Sequence, residues 1–328
     1  MKYNVLLTGA PGWLGSKLEQ RLASKFKGNL RCLVLRGSDV GNFAKSTQVV
    51  RGDVREFYTI AEAMADVNIV IHAAGIIHAK PKTLMDINAD GTYNMVMNAL
   101  GSGKVSRFVY VSSNSAVGYT KQIGLMNEGS LRKPYMAYGK SKFIAEEWVN
   151  NARQISSMQT VILRPCWFYG TNQPERQTRM FKMIQKGKPI IVGDGRNLRS
   201  MTYVDNLVDA VMKAIDIKNT QLDGETFWIA DKRPYTTLEI YETIADILGV
   251  TIKPRHLPAV VSKIAQYGDG LTQKLGLYLK YPHVIGEMTQ NIACDVTKAM
   301  NILEFKPQES LREGMEASVK WCKTKALI

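Results

Sequence analysis

Tyr138 and Lys142 stand four residues apart, and Ser113 stands twenty-five residues before the tyrosine. Side chains at i and i+4 share a helix face, so a helix beginning at Tyr138 sets a phenol beside an ammonium. A free tyrosine titrates near about 10. A neighbouring ammonium and an oxidised nicotinamide ring both favour phenolate and lower that value toward working pH. Tyr138 then exchanges a proton with a substrate hydroxyl while hydride moves to or from nicotinamide C4. Ser113, at the tip of an apolar run, hydrogen-bonds the same oxygen, and Lys142 also holds the nicotinamide ribose. A single Tyr-x-x-x-Lys arises often by chance on helices. Its weight here comes from a second motif, TGAPGWLG at residues 8–15.

In that turn Gly9, Gly12 and Gly15 follow a short apolar run and open a helical pattern. The first glycine permits a sharp turn, the second lets backbone approach a pyrophosphate, and the third allows close helix–sheet contact. The pyrophosphate meets the free N–H groups at the helix start. Gly9, Ala10, Gly12, Trp13, Leu14 and Gly15 are therefore the expected cofactor turn. The second apolar run ends in Leu35-Arg36, where an NAD site ordinarily places a carboxylate for the ribose 2′-hydroxyl. No acid appears until Asp39. A guanidinium pairs with a 2′-phosphate that a carboxylate repels, so NADP is favoured over NAD; the plain alternative is that Arg36 points to solvent.

These groups need a scaffold, and the apolar pattern supplies one. Strands are expected at Tyr3–Thr8, Leu30–Leu35, Gln48–Arg51, Asn68–His72, Phe108–Val111 and Thr160–Leu163. Helices are expected at Gly12–Ser24, Tyr58–Met64, Leu84–Leu100 and Tyr138–Asn151. Strands alternating with crossover helices mean a parallel sheet with helices on both faces. The fold class is α/β, a Rossmann-type doubly wound parallel sheet with a smaller C-terminal substrate-binding domain. Residues 1–170 are read as the dinucleotide-binding domain, with later crossings near 196–230 returning to it. Residues 171–328 are mainly the substrate domain, with helices near 176–187, 204–216 and 236–248. Val260–Leu279 has helical spacing interrupted by Gly268 and Gly270, and is read as domain core in preference to a cover for an apolar ligand or a membrane-surface segment.

The bulk numbers agree. The chain has 328 residues, 45% of them apolar, and no apolar run reaches the roughly 20 residues needed to span a bilayer. No signal peptide is expected, because the first apolar run is too short and reads better as a strand; neither a disulfide framework nor a metal site is expected, because the four cysteines and four histidines show no ligand spacing. A cytoplasmic protein is the expectation. The net charge of +14 is uneven: residues 1–170 carry 21 basic and 11 acidic side chains, and residues 171–328 carry 22 and 18. That excess suits a phosphorylated ligand as well as an ordinary basic surface. No basic run interleaved with aromatics points to nucleic acid.

With these residues in view, the chain resembles the extended short-chain dehydrogenases/reductases, of the epimerase/dehydratase and 3β-hydroxysteroid dehydrogenase superfamily, over nearly its whole length. The matching segments are TGAPGWLG (8–15), GDV (52–54), VIHAAG (70–75), NADGT (88–92), VYVSS (109–113), YGKSK (138–142), LRPCWFYG (163–170), GDGRNLRSMTYVDN (193–206) and DVTKAMNILEFKP (295–307). The resemblance implies that Asp53, followed by Val54, binds adenine and that Ala73 and Ala74 line the cofactor channel. It implies that Asn88 pins the helix carrying the proton relay, as a fourth catalytic residue, and that Pro165 borders the nicotinamide. It also implies a homodimer joined through the helices around Met85–Leu100 and from Tyr138, although those faces could simply pack on the sheet.

Two substrate classes compete. Arg199, in GDGRNLRS, resembles the arginine that sugar-nucleotide members place on a diphosphate, and a bidentate guanidinium suits that task. Gln173 and Arg176 are candidates to extend the pocket; Arg179 and Lys182 read better as solvated. Trp167 stands where those members commonly carry asparagine, and its indole favours an apolar ketone, as in a 3β-hydroxysteroid- or dihydroflavonol-like reductase. Asn114 and Ser115, also expected to meet substrate, replace the acidic pair of the sugar 4,6-dehydratases, which disfavours dehydration. The favoured reading is oxidation, reduction or epimerisation of a nucleotide-diphosphate sugar. A non-catalytic NADP-binding sensor is the third reading, disfavoured because Tyr138 and Lys142 are both present.

Overall fold

A computed structural model describes residues 3–120, 124–216, 218–307 and 310–328. Its centre is a seven-stranded sheet. The strands are β1 (Asn4–Thr8), β2 (Asn29–Val34), β3 (Gln48–Arg51), β4 (Ile69–His72), β5 (Arg107–Val111), β6 (Gln159–Pro165) and β7 (Glu225–Ile229). They lie in the order β3-β2-β1-β4-β5-β6-β7, all parallel. The order reverses between β1 and β4. In such sheets ligands enter the crevice beyond the carboxyl ends of the strands at that switch point.

The central strands are buried on both faces, which is why they read as apolar runs without alternation. Within β1, Val5 and Leu7 pack toward helix α1 (Trp13–Lys25), which contributes Leu14, Leu18 and Leu22. Leu6 faces the opposite layer, made by α2 (Phe57–Met64), α3 (Gly91–Ser102) and α4 (Met136–Gln154) through Ile60, Met95 and Val149. The glycine turn and Tyr138 are thus carried by opposite layers, both beyond the carboxyl ends of the strands. A separate core around Phe181, Ile184, Ile240, Ile244 and Met315 organises much of the second half.

Two expectations about helices are corrected. The single helix expected over Leu84–Leu100 is instead a short turn at Pro81–Leu84, a π-helical turn at Met85–Asp90, and then α3. Its apolar spacing is compatible with a continuous helix, so the wider turn is set by tertiary hydrogen bonds at Asn88. The second correction concerns Val260–Leu279. A helix runs through both glycines as Val260–Lys274, and a further helix at Lys280–Glu287 folds back on it as a hairpin. Its apolar side chains are not core: Val260, Ile264, Tyr267, Leu271 and Leu275 are exposed. No helix among the described residues is long and apolar enough to cross a membrane.

Candidate active site

The glycine turn closes tightly on its neighbours. Gly9 has φ +93°, and a Cβ there would lie 2.6 Å from the Ala73 carbonyl carbon. A Cβ on Gly15 would lie 2.4 Å from the Gly9 carbonyl oxygen, so the start of α1 rests directly on the turn. Gly12 caps α1 without a side-chain hydrogen bond, and no acid occupies the first helical turn. The arrangement fits a dinucleotide phosphate: unencumbered backbone N–H groups at a helix start, with no negative charge to repel it. Ala10 and Leu14 point their side chains into the core, so they offer backbone alone. Trp13 is turned away, donating Nε1–H to the Thr171 carbonyl at 2.8 Å and packing edge-on to Phe168. It ties the turn to the second half of the chain.

Beyond β2, Arg36 is exposed. The Asp39 carboxylate bends back onto the Gly41 N–H at 2.8 Å. Arg51, at the end of β3, donates to the Leu35 and Ser38 carbonyls at 3.2 and 2.8 Å and so braces the loop that carries Arg36. Asp53 is gripped by Arg55, whose hydrogen bonds hold the carboxyl below its ordinary range against the opposing effect of burial. Val54 is buried against Gly91, where a Cβ would clash with its Cγ2 at 2.8 Å. On the neighbouring strand, the Ala74 N–H donates to Thr8 Oγ1 at 3.1 Å, fixing the Ala73–Ala74 backbone beside the turn.

Ser113, Tyr138 and Lys142 come together at the end of β5. The Ser113 hydroxyl lies near enough to the Tyr138 phenol to lower its pKa, and Ser113 accepts from the Ser115 N–H at 3.2 Å as the cap of a single 3₁₀ turn, Asn114–Ala116. That turn packs closely on α4: a Cβ on Gly139 would lie 2.5 Å from the Ser115 oxygen. Met136, two residues before the tyrosine, sits at φ +54°, a conformation costing a bulky side chain on the order of 1–3 kcal/mol. Burial pushes the Tyr138 phenol above its ordinary value, and the nearby Ser113 hydroxyl only partly offsets this. The direction expected from a neighbouring ammonium is therefore reversed in the protein itself. Burial is the cause, and the ammonium is engaged elsewhere. Lys142 Nζ donates to Tyr110 Oη at 3.1 Å and to the Val111 carbonyl at 3.0 Å. Burial pushes Lys142 down to about 8, with Glu146 pulling the other way.

Asn88 is fully buried on the π turn. Its amide accepts from the Ile76 N–H at 2.9 Å, donates to the Ile76 carbonyl at 2.9 Å and donates to Ser141 Oγ at 3.0 Å. Pinning of α4 is thus direct. Gly75 is a site residue that motif reading passed over. A Cβ there would lie 3.1 Å from Asn88 Oδ1 and 3.4 Å from Lys142 Nζ. Pro165 is buried at the end of β6, level with Ile229 of β7.

Beneath Lys142 lies an ionic cluster not foreseen from spacing. Glu146 has no exposed side-chain surface and pairs with Arg164 at 2.7 Å, itself 4% exposed. Ser112 donates to the same carboxylate at 2.6 Å, and Arg132 approaches at 3.4 Å from the rim. Ser112 is adjacent to Ser113 and Glu146 is one turn from Lys142, so one carboxylate ties together both elements of the proposed relay.

Of the substrate candidates, Arg199 and Trp167 are brought together, the guanidinium carbon 6.0 Å from the indole ring centroid. Arg199 also donates to the Glu287 carbonyl at 2.6 Å, and the Glu287 carboxylate accepts from Tyr119. The charges of Glu287 and Arg176 both act on Tyr138, in opposite directions. Gln173 is corrected: it is buried and donates to Cys322 Sγ at 3.4 Å, so it lies in the core of the second half.

The model of the 3-beta hydroxysteroid dehydrogenase/isomerase family matches residues 6–259. The chain belongs to this family. Among relatives, an uncharacterized protein of Sinorhizobium fredii is 40% identical, covering 97% of this chain and 94% of that protein. The N-acetyl-alpha-D-glucosaminyl-diphospho-ditrans,octacis-undecaprenol 4-epimerase of Escherichia coli O157:H7 is 29% identical over 84% of this chain and 81% of its own. Among solved structures, the UDP-glucose 4-epimerase of Thermotoga maritima has a TM-score of 0.81 at 20% identity, covering 98% and 99% of the two chains. The family member described here is thus an enzyme of the epimerase/dehydratase superfamily.

Proposed function

We propose that the chain oxidises, reduces or epimerises one carbinol of a sugar carried on a diphosphate, with a nucleoside diphosphate as the carrier. The observation that carries this is the convergence of Ser113 and Tyr138 at the end of β5, one helical turn from a buried Lys142. The cofactor, when bound, accepts or returns a hydride. Tyr138 takes the proton of the sugar hydroxyl onto its phenol oxygen, and Ser113 holds that hydroxyl in place. Lys142, still protonated at neutral pH for a value near 8, supplies positive charge under the ribose. Arg199, held by the Glu287 carbonyl and facing Trp167, receives the diphosphate. The relative from E. coli is, by its name, a 4-epimerase of a sugar joined through a diphosphate to undecaprenol. NADP is the preferred dinucleotide in this reading, because Arg36 stands exposed on a loop braced by Arg51 while the Asp39 carboxylate is engaged elsewhere. The outer face of α3 and α4, where Tyr93 and Trp148 meet at 5.0 Å, is assigned to a homodimer.

The test is calorimetric titration of UDP, dTDP, GDP and CDP into protein saturated with NADP. One of them binds, and Arg199→Ala abolishes that binding without loss of NADP. Tyr138→Phe stops hydride exchange with the matching sugar and leaves both ligands bound. Failure of all four diphosphates to bind overturns the nucleotide reading, and NADPH turnover would then be sought with apolar ketones, the reading Trp167 favours.

A further inference from the structure

The hairpin Val260–Glu287 is anchored on one side and bare on the other. Its inner side is polar and specific. Asp269 is buried and accepts from His283 Nδ1 at 2.7 Å. Gln273 Oε1 accepts from the Ala137 N–H at 3.0 Å, one residue before Tyr138. Ser262 and Gln266 both donate to the Gly286 carbonyl, at 2.8 and 2.6 Å, locking the two helices together. Its outer side is the stripe Val260, Ile264, Tyr267, Leu271 and Leu275, all exposed and spaced along one helix face. The connecting segment adds Leu277 and Leu279, and the second helix adds Tyr281 and Val284. Ten of the 21 exposed large apolar side chains among the described residues fall within 257–284, so this is a concentrated patch and not the usual scatter.

The charges around the patch are of one sign. Between residues 258 and 287 the only carboxylates are Asp269 and Glu287, and both are engaged inward, with His283 and Tyr119. Lys263 and Lys274 are exposed on the first helix. Lys280 begins the second, close enough to Arg179 and Arg176 to feel both charges. An apolar stripe, exposed tyrosines and a cationic margin without outward acids fit the boundary of an anionic bilayer, where tyrosine rings settle at headgroup level and lysines meet phosphate. A protein partner helix would also cover the stripe, but it would leave the unopposed cations without a counterpart.

We infer that the hairpin docks the enzyme on an anionic membrane surface, with the stripe in the headgroup layer and the inner side held against the Tyr138 helix. The inference goes beyond the sugar-diphosphate reading and does not depend on it, since membrane association needs no substrate. It also gives the chain a place at a membrane face without any spanning helix.

The test uses the full chain in flotation with phosphatidylcholine vesicles, with and without phosphatidylglycerol. Protein floats with the anionic vesicles at low salt and less at high salt. The double variant Ile264→Glu/Leu275→Glu changes side chains that are 67% and 77% exposed. It lowers the vesicle partition by about tenfold or more, with melting temperature and NADP binding unchanged. Two results overturn the inference: wild-type protein that stays in the buffer fraction, or a double variant that lowers the molar mass in light scattering. The second would assign the stripe to another copy of the chain.

Discussion

Glu146→Gln withdraws one negative charge from a carboxylate that has no exposed side-chain surface. Glutamine keeps an acceptor for Ser112 but presents an amide N–H₂ to the guanidinium of Arg164. Arg164, 4% exposed, is then a buried cation without a counter-charge, and removing one partner of such a pair costs about 3–5 kcal/mol. Arg132 adds little, because it is on the rim and keeps Glu147 at 2.6 Å. For 328 residues the unfolding entropy is about 0.7 kcal/mol per kelvin, so the melting temperature falls by about 4–7 °C. The same substitution removes the influence that raises Lys142, whose pKa then drops below about 8 and whose charge is lost earlier as pH rises. Two assays read the two effects: scanning calorimetry for stability, and the pH dependence of dinucleotide affinity for Lys142. Adding Arg164→Met to Glu146→Gln recovers part of the stability but not the shifted pH limb. A melting temperature within about 1 °C of wild type, or an unmoved alkaline limb, refutes the buried-cluster reasoning.

Gly15→Ala forces a Cβ to within 2.4 Å of the Gly9 oxygen and 2.5 Å of the Ala10 nitrogen. Both are backbone, so α1 must lift and dinucleotide affinity falls steeply in a titration. Gly101→Ala, helical and open, binds as wild type and gains up to about 1 kcal/mol. The His283 imidazole faces Asp269, Glu287, Tyr135 and Tyr278. Burial pushes it down, but the Asp269 hydrogen bond and the two carboxylate charges lift it above its ordinary 6.5. A pKa raised by folding contributes stability that is complete below about 6.5 and lost as pH rises through the folded value. Melting scans should therefore show a decline on the alkaline side that His283→Gln abolishes; an equal decline in the variant assigns the slope elsewhere.

The parts legible in the sequence are those whose meaning is local. The glycine turn and the apolar runs of the sheet each express a short-range rule, and each lies where that rule puts it; Tyr138 and Lys142 share a helix as their interval requires, but the ammonium is taken by Tyr110 and Val111. The misses are long-range. Glu146 and Arg164 read as ordinary polar positions because the pairing that buries them is fixed by a strand and a helix meeting in space. Gly75 belonged to a recognised motif, yet its clearance toward Asn88 and Lys142 exists only once β4 and α4 are adjacent. Gln173 had pocket-like chemistry but faces Cys322. The outward stripe of the hairpin has the same spacing as a core face, because periodicity records that one side is apolar and says nothing about what covers it. The helix at Lys280–Glu287 was hidden by Pro282, which is tolerated in a first helical turn.

The Asn88 side chain meets both the N–H and the C=O of Ile76, acting as a one-residue strand partner to the segment that leaves β4. That segment and the π turn are therefore a single inheritable module. A chimera that imported residues 85–90 from a relative with another residue at position 88, while keeping residues 75–80 of this chain, would sever both bonds at once. The backbone beside Lys142 would then lose its template even though Ser113, Tyr138 and Lys142 all remained. Loop grafting intended to alter specificity in this enzyme should move the two stretches together, with the glycine at position 75 included.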